Sequence, residues 1–183
     1  MDPSWPGVFR ARMGRFEMRR PPQQGAVAIS IKVRVVSGCF HSSCSPHAYE
    51  IVHEQLRAAS CSEPEFAFEE HESGPEILVY VAAGISLATS IVNLVTTIIK
   101  ARSDGVKKGD RPSEPVELVV RRIVGSDSIQ DEVVLRFDHT DSVGAKVIEQ
   151  HLNEAKDRLL GVPTKESNSN ARARKSKPKR KQT

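Results

Sequence analysis

The chain has few aromatic residues and none of the short motifs that identify a particular chemistry. Aromatic residues make up 5% of its 183 residues. It contains no G-x-G-x-x-G, no P-loop and no H-E-x-x-H sequence, so nothing supports a nucleotide-binding protein or a zinc protease. Hydrophobic residues at 38% and charged residues at 27% are instead typical of a soluble globular domain.

The small number of cysteines limits the use of thiols. Cys39, Cys44 and Cys61 cannot all pair within one chain, and the first residues lack the apolar run of a secretory signal. These two observations favour a reducing, cytoplasmic setting. Met13 and Met18 are alternative start sites, so the sequence leaves the true start open.

The net charge of +4 is unevenly distributed along the chain. Residues 161–183 carry eight basic side chains against one glutamate, a balance of +7, and residues 1–24 carry a balance of +3. The stretch between them, residues 25–160, is therefore acidic, with a balance of −6. The basic character belongs to the ends of the chain and not to its body.

Composition divides the chain into three parts. Residues 1–24 contain four prolines and five arginines without an evident period, which predicts a flexible basic arm. Residues 163–183 contain almost nothing apolar, which predicts a disordered basic tail. Residues 25–162 carry regular apolar patterns, so we expect them to form one folded domain.

Apolar periodicity predicts the elements of that domain. Residues from Val27 to Val35 alternate as a half-buried strand requires, and Ser45 with Pro46 resembles the N-cap and first residue of a helix of about four turns. The later predicted strands lie at 65–69, 77–82, 116–120 and 133–137. A helix is predicted after Gly84, and a polar linker follows it at 103–115. The last predicted helix is capped by Thr140, Asp141 or Ser142, carries Val147 on its apolar stripe and stops at Gly161. The order β-α-β-β-α-β-β-α predicts an α+β fold, with a mixed sheet of about five strands of the split βαβ, ferredoxin-like type and packed helices.

Residues 77–99 allow a second interpretation, because they contain no charged residue and are long enough to cross a bilayer. The basic residues that follow them and the glutamates that precede them also fit the positive-inside rule. However, the polar residues from Ser86 to Thr97 share one face of a helix. This segregation favours a buried strand, a turn at Gly84 and an amphipathic helix over a single membrane span.

Three of these features together resemble one known family. They are the alternating Ile and Val strand at 27–35, taken as an edge strand, the apolar strand that leads into a helix ending in Lys100-Ala101-Arg102, and the hairpin at 116–137 before the Asp141 helix. The pattern, over about residues 27–160, resembles the effector-associated constant component family, predicted accessories of bacterial conflict systems. The resemblance implies an adaptor-like, non-catalytic role beside an effector protein, and it carries over no catalytic residue.

Four possible metal ligands lie within nine residues of one another, namely Cys39, His41, Cys44 and His47. All four would have to wrap a zinc ion in one tight loop, whereas structural zinc sites usually join two separated pairs. We therefore expect a polar loop here and no metal or other cofactor. A helix N-terminus would favour a thiolate at Cys44, but no acid is visible in the sequence to orient a histidine, so a catalytic thiol is not expected.

The run of glutamates between residues 63 and 76 is a further candidate for acid–base chemistry. Such a run more often forms a solvated face, and nothing in the sequence indicates a raised pKa. With neither a catalytic motif nor a cofactor motif, the sequence predicts a protein that is not an enzyme.

The basic tail is the feature that indicates a polyanionic partner. We expect contact through Arg172, Arg174, Lys175, Lys177, Lys179, Arg180 and Lys181. Such a run can neutralise phosphates, meet an anionic membrane or serve as a nuclear address. Since no aromatic residue is interleaved with these charges and the body is acidic, weak and salt-sensitive contact is expected instead of sequence recognition.

The sequence therefore predicts a non-enzymatic protein-interaction or adaptor module with an effector protein as its partner. Two alternatives stay open at this point. One is a single-pass membrane protein that spans 77–99 and has a basic cytoplasmic C-terminal part, and the other is a nucleic-acid-associated protein that acts through its tail. The identity of the partner, the pathway and the oligomeric state are not encoded in any pattern found here.

Overall fold

Within the part of the chain that the structure describes, five strands and four helices follow one another in the order α1-β1-α2-β2-β3-α3-β4-β5-α4. The computed structural model describes residues 5–162 except 23, 37, 60–65, 112–114, 126–127, 139 and 142. The elements are α1 Trp5–Arg19, β1 Val27–Val35, α2 Pro46–Ala59, β2 Phe66–Glu69, β3 Glu76–Val81, α3 Thr89–Lys107, β4 Val116–Val124, β5 Ser128–Phe137 and α4 Ala145–Leu159.

The strands form one sheet in the order β2-β3-β1-β4-β5, and every neighbouring pair is antiparallel. The α+β class, the five strands and the order of elements from β1 onward confirm the sequence prediction. The sheet is therefore antiparallel and not mixed. Each helical crossover connects two strands that are separated by one other strand, and that strand is antiparallel to both. β3 lies between β1 and β2, and β1 lies between β3 and β4, as in a split βαβ unit.

Strand β1 is the centre of the sheet and not its edge. Ile31 lies opposite Ile77 of β3 on one side and Val120 of β4 on the other. Seven of its nine residues are buried, so the strand is covered on both faces. The expectation of a half-buried edge strand is therefore wrong, because a helix packs on the face that the sequence pattern assigned to water.

The main core lies between one face of the sheet and helices α2, α3 and α4. Its members are at most 8% exposed and include Ile29, Ile31, Val33, Val52, Ile77, Val79, Ile91, Val95, Ile98, Leu118, Val120, Ile148 and Leu152. They alternate along the strands and recur every three or four residues along the helices, as burial of one face requires. Each fully buried Ile or Leu contributes about 1.5–3 kcal/mol, so this face supplies most of the hydrophobic stabilisation.

Helix α1 covers the opposite face and corrects the prediction of a flexible arm at 1–24. Trp5, Phe9, Met13 and Phe16 recur at spacings of four, four and three residues, and the last three are at most 4% exposed. They form a second, smaller core with Ala28, Leu78 and their neighbours. The interspersed arginines and the two glycines of this segment masked the helical period, so its apolar stripe was overlooked.

The charge-free segment 77–99 is divided between β3 and α3, as the favoured interpretation predicted. In the part of the chain that the structure describes, no helix has both the length and the apolar character needed to cross a membrane. Residues 77–99 form a strand, a connecting segment and the first part of a helix, and not one continuous helix. Within the expected polar face Thr96 is an exception, because it is buried and its hydroxyl donates to the carbonyl oxygen of Val92 at 2.7 Å.

Helix α3 also continues into the region expected to be a linker. The helix extends past Ser103 because Ala101, Arg102 and Gly105 lie on its buried face and pack against the rest of the domain. It ends at Lys107. The hairpin strands β4 and β5 are likewise longer than predicted, and they meet close to Gly125, whose φ of 64° suits a tight turn.

The last helix confirms the predicted segment but not its cap. Its N-cap is Gly144, which makes no side-chain hydrogen bond, while Asp141 accepts instead from the backbone N–H of Asp138 at 2.9 Å. Val147 was assigned to the apolar stripe, yet it is 45% exposed. The helix ends before Gly161, as predicted, where a φ of 74° is suited to glycine.

Candidate functional site

The most unusual feature of the molecule is a group of charged side chains between α1 and the sheet. Ser30 and Lys32 point toward α1 because their neighbours Ile29 and Ile31 point into the main core. In the sheet register Lys32 lies opposite Glu76, and Ser30 lies opposite Arg121. We call the group the α1 cluster, and its members are Arg12, Ser30, Lys32, Glu69, His71, Glu76 and Arg121.

Glu76 is the centre of the α1 cluster. Its Oε2 lies 3.0 Å from Nη1 of Arg12 and 3.2 Å from Nε2 of His71. Its Oε1 accepts a hydrogen bond from the hydroxyl of Ser30 and lies 3.6 Å from Nη1 of Arg121. The residue is 0% exposed, so these groups replace the water that a carboxylate would otherwise bind.

The cluster keeps this carboxylate ionised. Burial by itself would raise the pKa of Glu76, but hydrogen bonds from His71 and Ser30 and the charges of Arg12 and Lys32 lower the pKa to about 2. Glu76 is therefore a fixed negative charge at any pH above about 4. It is not poised to exchange a proton near neutral pH.

Arg121 connects the cluster to the start of α1. Its guanidinium carbon lies 5.0 Å from the centroid of the Trp5 ring, a cation–π arrangement. Trp5 in turn stacks on Phe9, with ring centroids 5.6 Å apart. Arg121 is 4% exposed, so the first turn of α1 and the middle of β4 are held together in a desolvated contact.

Lys32 is the member of the cluster whose charge is least compensated. It is 5% exposed, and among the residues described no carboxylate oxygen lies within 4.0 Å of its Nζ. Burial lowers the pKa of Lys32 to about 8, and the positive charges of Arg121, Arg12 and Arg34 act in the same direction against the attraction of Glu76. At neutral pH the ammonium is present, and it is held at an energetic cost.

Lys32 lines an open groove of about 460 Å³ beside α1. We call it the α1 groove. Trp5, Val8 and Val36 give it an apolar wall, and Val8 is 53% and Val36 46% exposed. Its polar lining includes the basic groups of Arg12, Lys32 and His71, with Glu72 as the acidic member.

A second set of charges lies next to the cluster on the same face of the sheet. Arg34, Glu117 and Arg136 are cross-strand neighbours on β1, β4 and β5. Nε of Arg34 donates to Oε2 of Glu117 at 2.9 Å, and Nη2 of Arg136 lies 3.3 Å from Oε1 of the same carboxylate. Two guanidinium groups share one carboxylate, so this part of the face also carries more positive than negative charge.

The histidines and cysteines singled out in the sequence are used differently. Cys39 and Cys44 form a disulfide, so neither sulfur is available as a thiolate ligand in this state. Nδ1 of His47 lies 2.8 Å from Oδ1 of Asp110, and Nδ1 of His41 lies 3.3 Å from the hydroxyl oxygen of Ser43. Within the described ranges, no three His, Cys, Asp or Glu side chains are grouped as a metal site would require.

The disulfide also changes the argument about the compartment. An odd number of cysteines was taken as a sign of a reducing setting, yet two of the three are paired. Cysteine usage therefore no longer favours a reducing compartment, and the cytoplasmic location stays a prediction.

Asp110 supplies the orienting acid that the sequence did not reveal. Its carboxylate caps α2 by accepting from the backbone N–H groups of His47 at 3.2 Å and Ala48 at 3.0 Å. Burial would raise the pKa of Asp110, but these bonds and the His47 ring lower it. A Cβ at Gly105 would lie 2.1 Å from Oδ2 of Asp110, so only glycine allows this approach.

Ser45 occupies the predicted N-cap position, since α2 begins at Pro46 and the N–H of Tyr49 donates to the carbonyl oxygen of Ser45 at 2.9 Å, but its side chain does not cap the helix. Its hydroxyl donates to the carbonyl oxygen of Cys39 at 2.9 Å and accepts from Nη1 of Arg102 at 2.6 Å. Arg102 is 1% exposed and also donates to the carbonyl oxygen of Arg111. The serine therefore joins the loop before α2 to the end of α3.

Sequence reasoning missed the α1 cluster. It placed Lys32 among the polar residues on the outer face of β1 and the glutamates on a solvated face, whereas Glu76 is fully buried. The available signal was the spacing of Trp5, Phe9 and Met13, which indicates a helix that needs a surface to cover. The seven tail residues expected to contact polyanions, from Arg172 to Lys181, lie outside the described residues.

Comparison with known proteins does not indicate a function, so the functional argument depends on the geometry described above. No protein-family model matches the chain, no curated protein is significantly similar to it, and no solved structure matches it.

Proposed function

We propose that the chain is a non-enzymatic protein-interaction module whose α1 groove binds an acidic side chain of a partner protein. One observation carries the proposal. Lys32 is buried in the groove lining, carries its charge at neutral pH, and has no carboxylate within 4.0 Å among the residues described. A carboxylate from a partner would supply the missing counter-charge.

The surroundings of Lys32 favour an acidic ligand over a cation. Arg12 and Arg121 already share Glu76, so the cluster holds three cationic side chains against Glu69 and Glu76. A charge-assisted hydrogen bond to an incoming carboxylate is stronger than one between neutral groups.

The shape of the groove favours a peptide segment over a substrate. It is open to solvent, whereas catalytic sites usually exclude water from the reacting groups. Its exposed wall of Trp5, Val8 and Val36 suits an apolar residue next to the acidic one. A glutamate or aspartate flanked by apolar residues is therefore the segment that we expect it to bind. The resemblance to the effector-associated constant component family implies that this partner is an effector protein. That resemblance rests on the sequence pattern alone.

The test compares two labelled peptides that differ in one group. One carries a single glutamate between apolar residues, and the other carries glutamine in its place. Fluorescence anisotropy with the full chain should show the glutamate peptide binding at least about tenfold more tightly, because only it can pair with Lys32. A single carboxylate keeps the contribution of the basic tail small.

Two variants assign the difference to the groove. Lys32→Met should abolish the preference for glutamate, while Lys146→Met, which removes an exposed lysine of α4, should preserve it. Equal binding of the two peptides to the wild-type chain would contradict the proposal. So would a glutamate preference that survives in Lys32→Met.

A further inference from the structure

The loop between β1 and α2 contains a second chemical feature, which is independent of the α1 groove proposal. Cys39 and Cys44 are five residues apart and joined by a disulfide. Both are half-buried, and neither belongs to either hydrophobic core. We propose that this pair is a reversible thiol–disulfide exchange site that reacts with low-molecular-weight disulfides and dithiols.

The backbone around both cysteines is held by bonds that do not depend on the disulfide. Phe40 is 5% exposed, and its N–H donates to the carbonyl oxygen of Glu72 at 2.9 Å. The carbonyl oxygen of Cys39 accepts from the hydroxyl of Ser45, and that of Cys44 accepts from the N–H of Arg111 at 3.2 Å. Breaking the S–S bond therefore leaves the two sulfurs anchored near each other.

The stabilising role of such a crosslink is also limited by its position. A disulfide stabilises a fold mainly by restricting the unfolded chain, and the restriction grows with the length of the closed loop. A separation of five residues closes a short loop. The pair is thus more suited to opening and closing within the folded protein than to holding distant segments together.

The two sulfurs are not equivalent. Cys44 lies two residues before Pro46, the first residue of the 14-residue helix α2, but the first N–H groups of that helix already bind the carboxylate of Asp110, so the difference rests on Ser43. The hydroxyl oxygen of Ser43 lies 3.7 Å from Sγ of Cys44 and can donate a hydrogen bond to it. This makes Cys44 the attacking sulfur and Cys39 the resolving one.

The exchange with glutathione disulfide balances as follows. The thiolate of Cys44 attacks one sulfur of glutathione disulfide, and the first glutathione leaves as a thiolate. Cys39 then loses its proton and attacks the Cys44 sulfur, which releases the second glutathione. The protein loses two electrons, glutathione disulfide gains them, and the two thiol protons end on two glutathione molecules.

The first experiment measures whether the pair is exchangeable in the folded chain. The full chain carrying Cys61→Ser is equilibrated with glutathione mixtures, trapped by alkylation and analysed by mass spectrometry. We expect the oxidised fraction to change from under a tenth to over nine tenths across these mixtures, with an unchanged circular dichroism spectrum. A pair that stays oxidised throughout, or a chain that unfolds when reduced, would overturn the proposal.

The second experiment tests the assignment of the attacking sulfur. In the same background, Cys39→Ser leaves Cys44 alone, and Cys44→Ser leaves Cys39 alone. Mixed disulfide with glutathione should form at least tenfold faster at Cys44 than at Cys39. Equal rates, or a faster reaction at Cys39, would show that the hydrogen bond from Ser43 does not direct the exchange.

Discussion

The two faces of the sheet differ in how they are covered. Three helices pack on one face through apolar side chains, and one helix packs on the other through a small apolar core and a set of buried ions. The first face is stabilised mainly by apolar packing, although Arg102, Asp110 and Lys156 are also buried in its helical layer. The second depends on buried charges that meet counter-charges, so it is more easily disturbed by a single substitution.

Removing the negative charge of Glu76 should have the largest effect on the stability of the protein. Glu76→Gln keeps the size of the side chain but leaves Arg12 and Arg121 without their buried counter-charge. We expect the free energy of unfolding to fall by about 3–5 kcal/mol, because removing one partner of a buried ion pair leaves the other charge buried without compensation. Chemical denaturation monitored by circular dichroism at pH 7 measures it.

A matched control for that variant is Glu132→Gln. Glu132 pairs with Arg158, but both side chains are partly exposed, at 28% and 45%. We expect a loss of at most about 1 kcal/mol there. Similar losses for the two variants would mean that the buried charge of Glu76 contributes no more to stability than a partly exposed ion pair does.

Removing the uncompensated cation should have a smaller effect of opposite sign. The pKa of Lys32 is lowered to about 8, so between pH 8 and 10.5 the unfolded chain binds a proton that the folded chain has lost. Stability therefore rises with pH across that window. Lys32→Met should abolish this rise and increase the free energy of unfolding at pH 7 by about 1–3 kcal/mol.

Denaturation curves at pH 7, 8.5 and 10 test this prediction, with Lys146→Met as the control because that lysine is exposed. Loss of stability in Lys32→Met at pH 7 would show that the ammonium is well compensated in the folded protein. The argument for a missing partner carboxylate would then fail as well.

The smallest effect on stability is expected from the basic residues of the tail. Removing residues 163–183 should leave the melting temperature unchanged, since the segment has no apolar stripe with which to pack. It should nevertheless abolish binding to DNA, which in the full chain should weaken steeply with salt. DNA binding retained by the shortened chain would place the basic contact on the folded domain instead.

The sequence predicted those elements whose apolar residues recur at a regular spacing. Val27–Val35 and the segment from Ile148 to Leu159 show their periods clearly, because their apolar residues are not interrupted. The period of α1 was hidden because arginines flank its apolar stripe. Once α1 was taken for a flexible arm, the outer face of β1 was assigned to solvent.

The candidate site could not be predicted for the same reason. Lys32 and Glu76 are ordinary exposed residues in a two-layer fold, and both become buried only when a third layer covers them. The contact depends on pairing between segments far apart in the chain, which no local pattern reports. The role of Asp110 at α2 was invisible for the same reason, since 62 residues separate it from Ala48.

The position of α1 at the beginning of the chain determines when the molecule can be completed during synthesis. Its Phe16 meets Tyr80, its Arg12 meets Glu76, and its Trp5 meets Arg121. The ribosome makes the helix first, but the surface that receives it exists only after β4 has been translated and paired. The segment with Phe9 and Met13 therefore stays undocked, with its apolar stripe exposed, until β3 and β4 are in place.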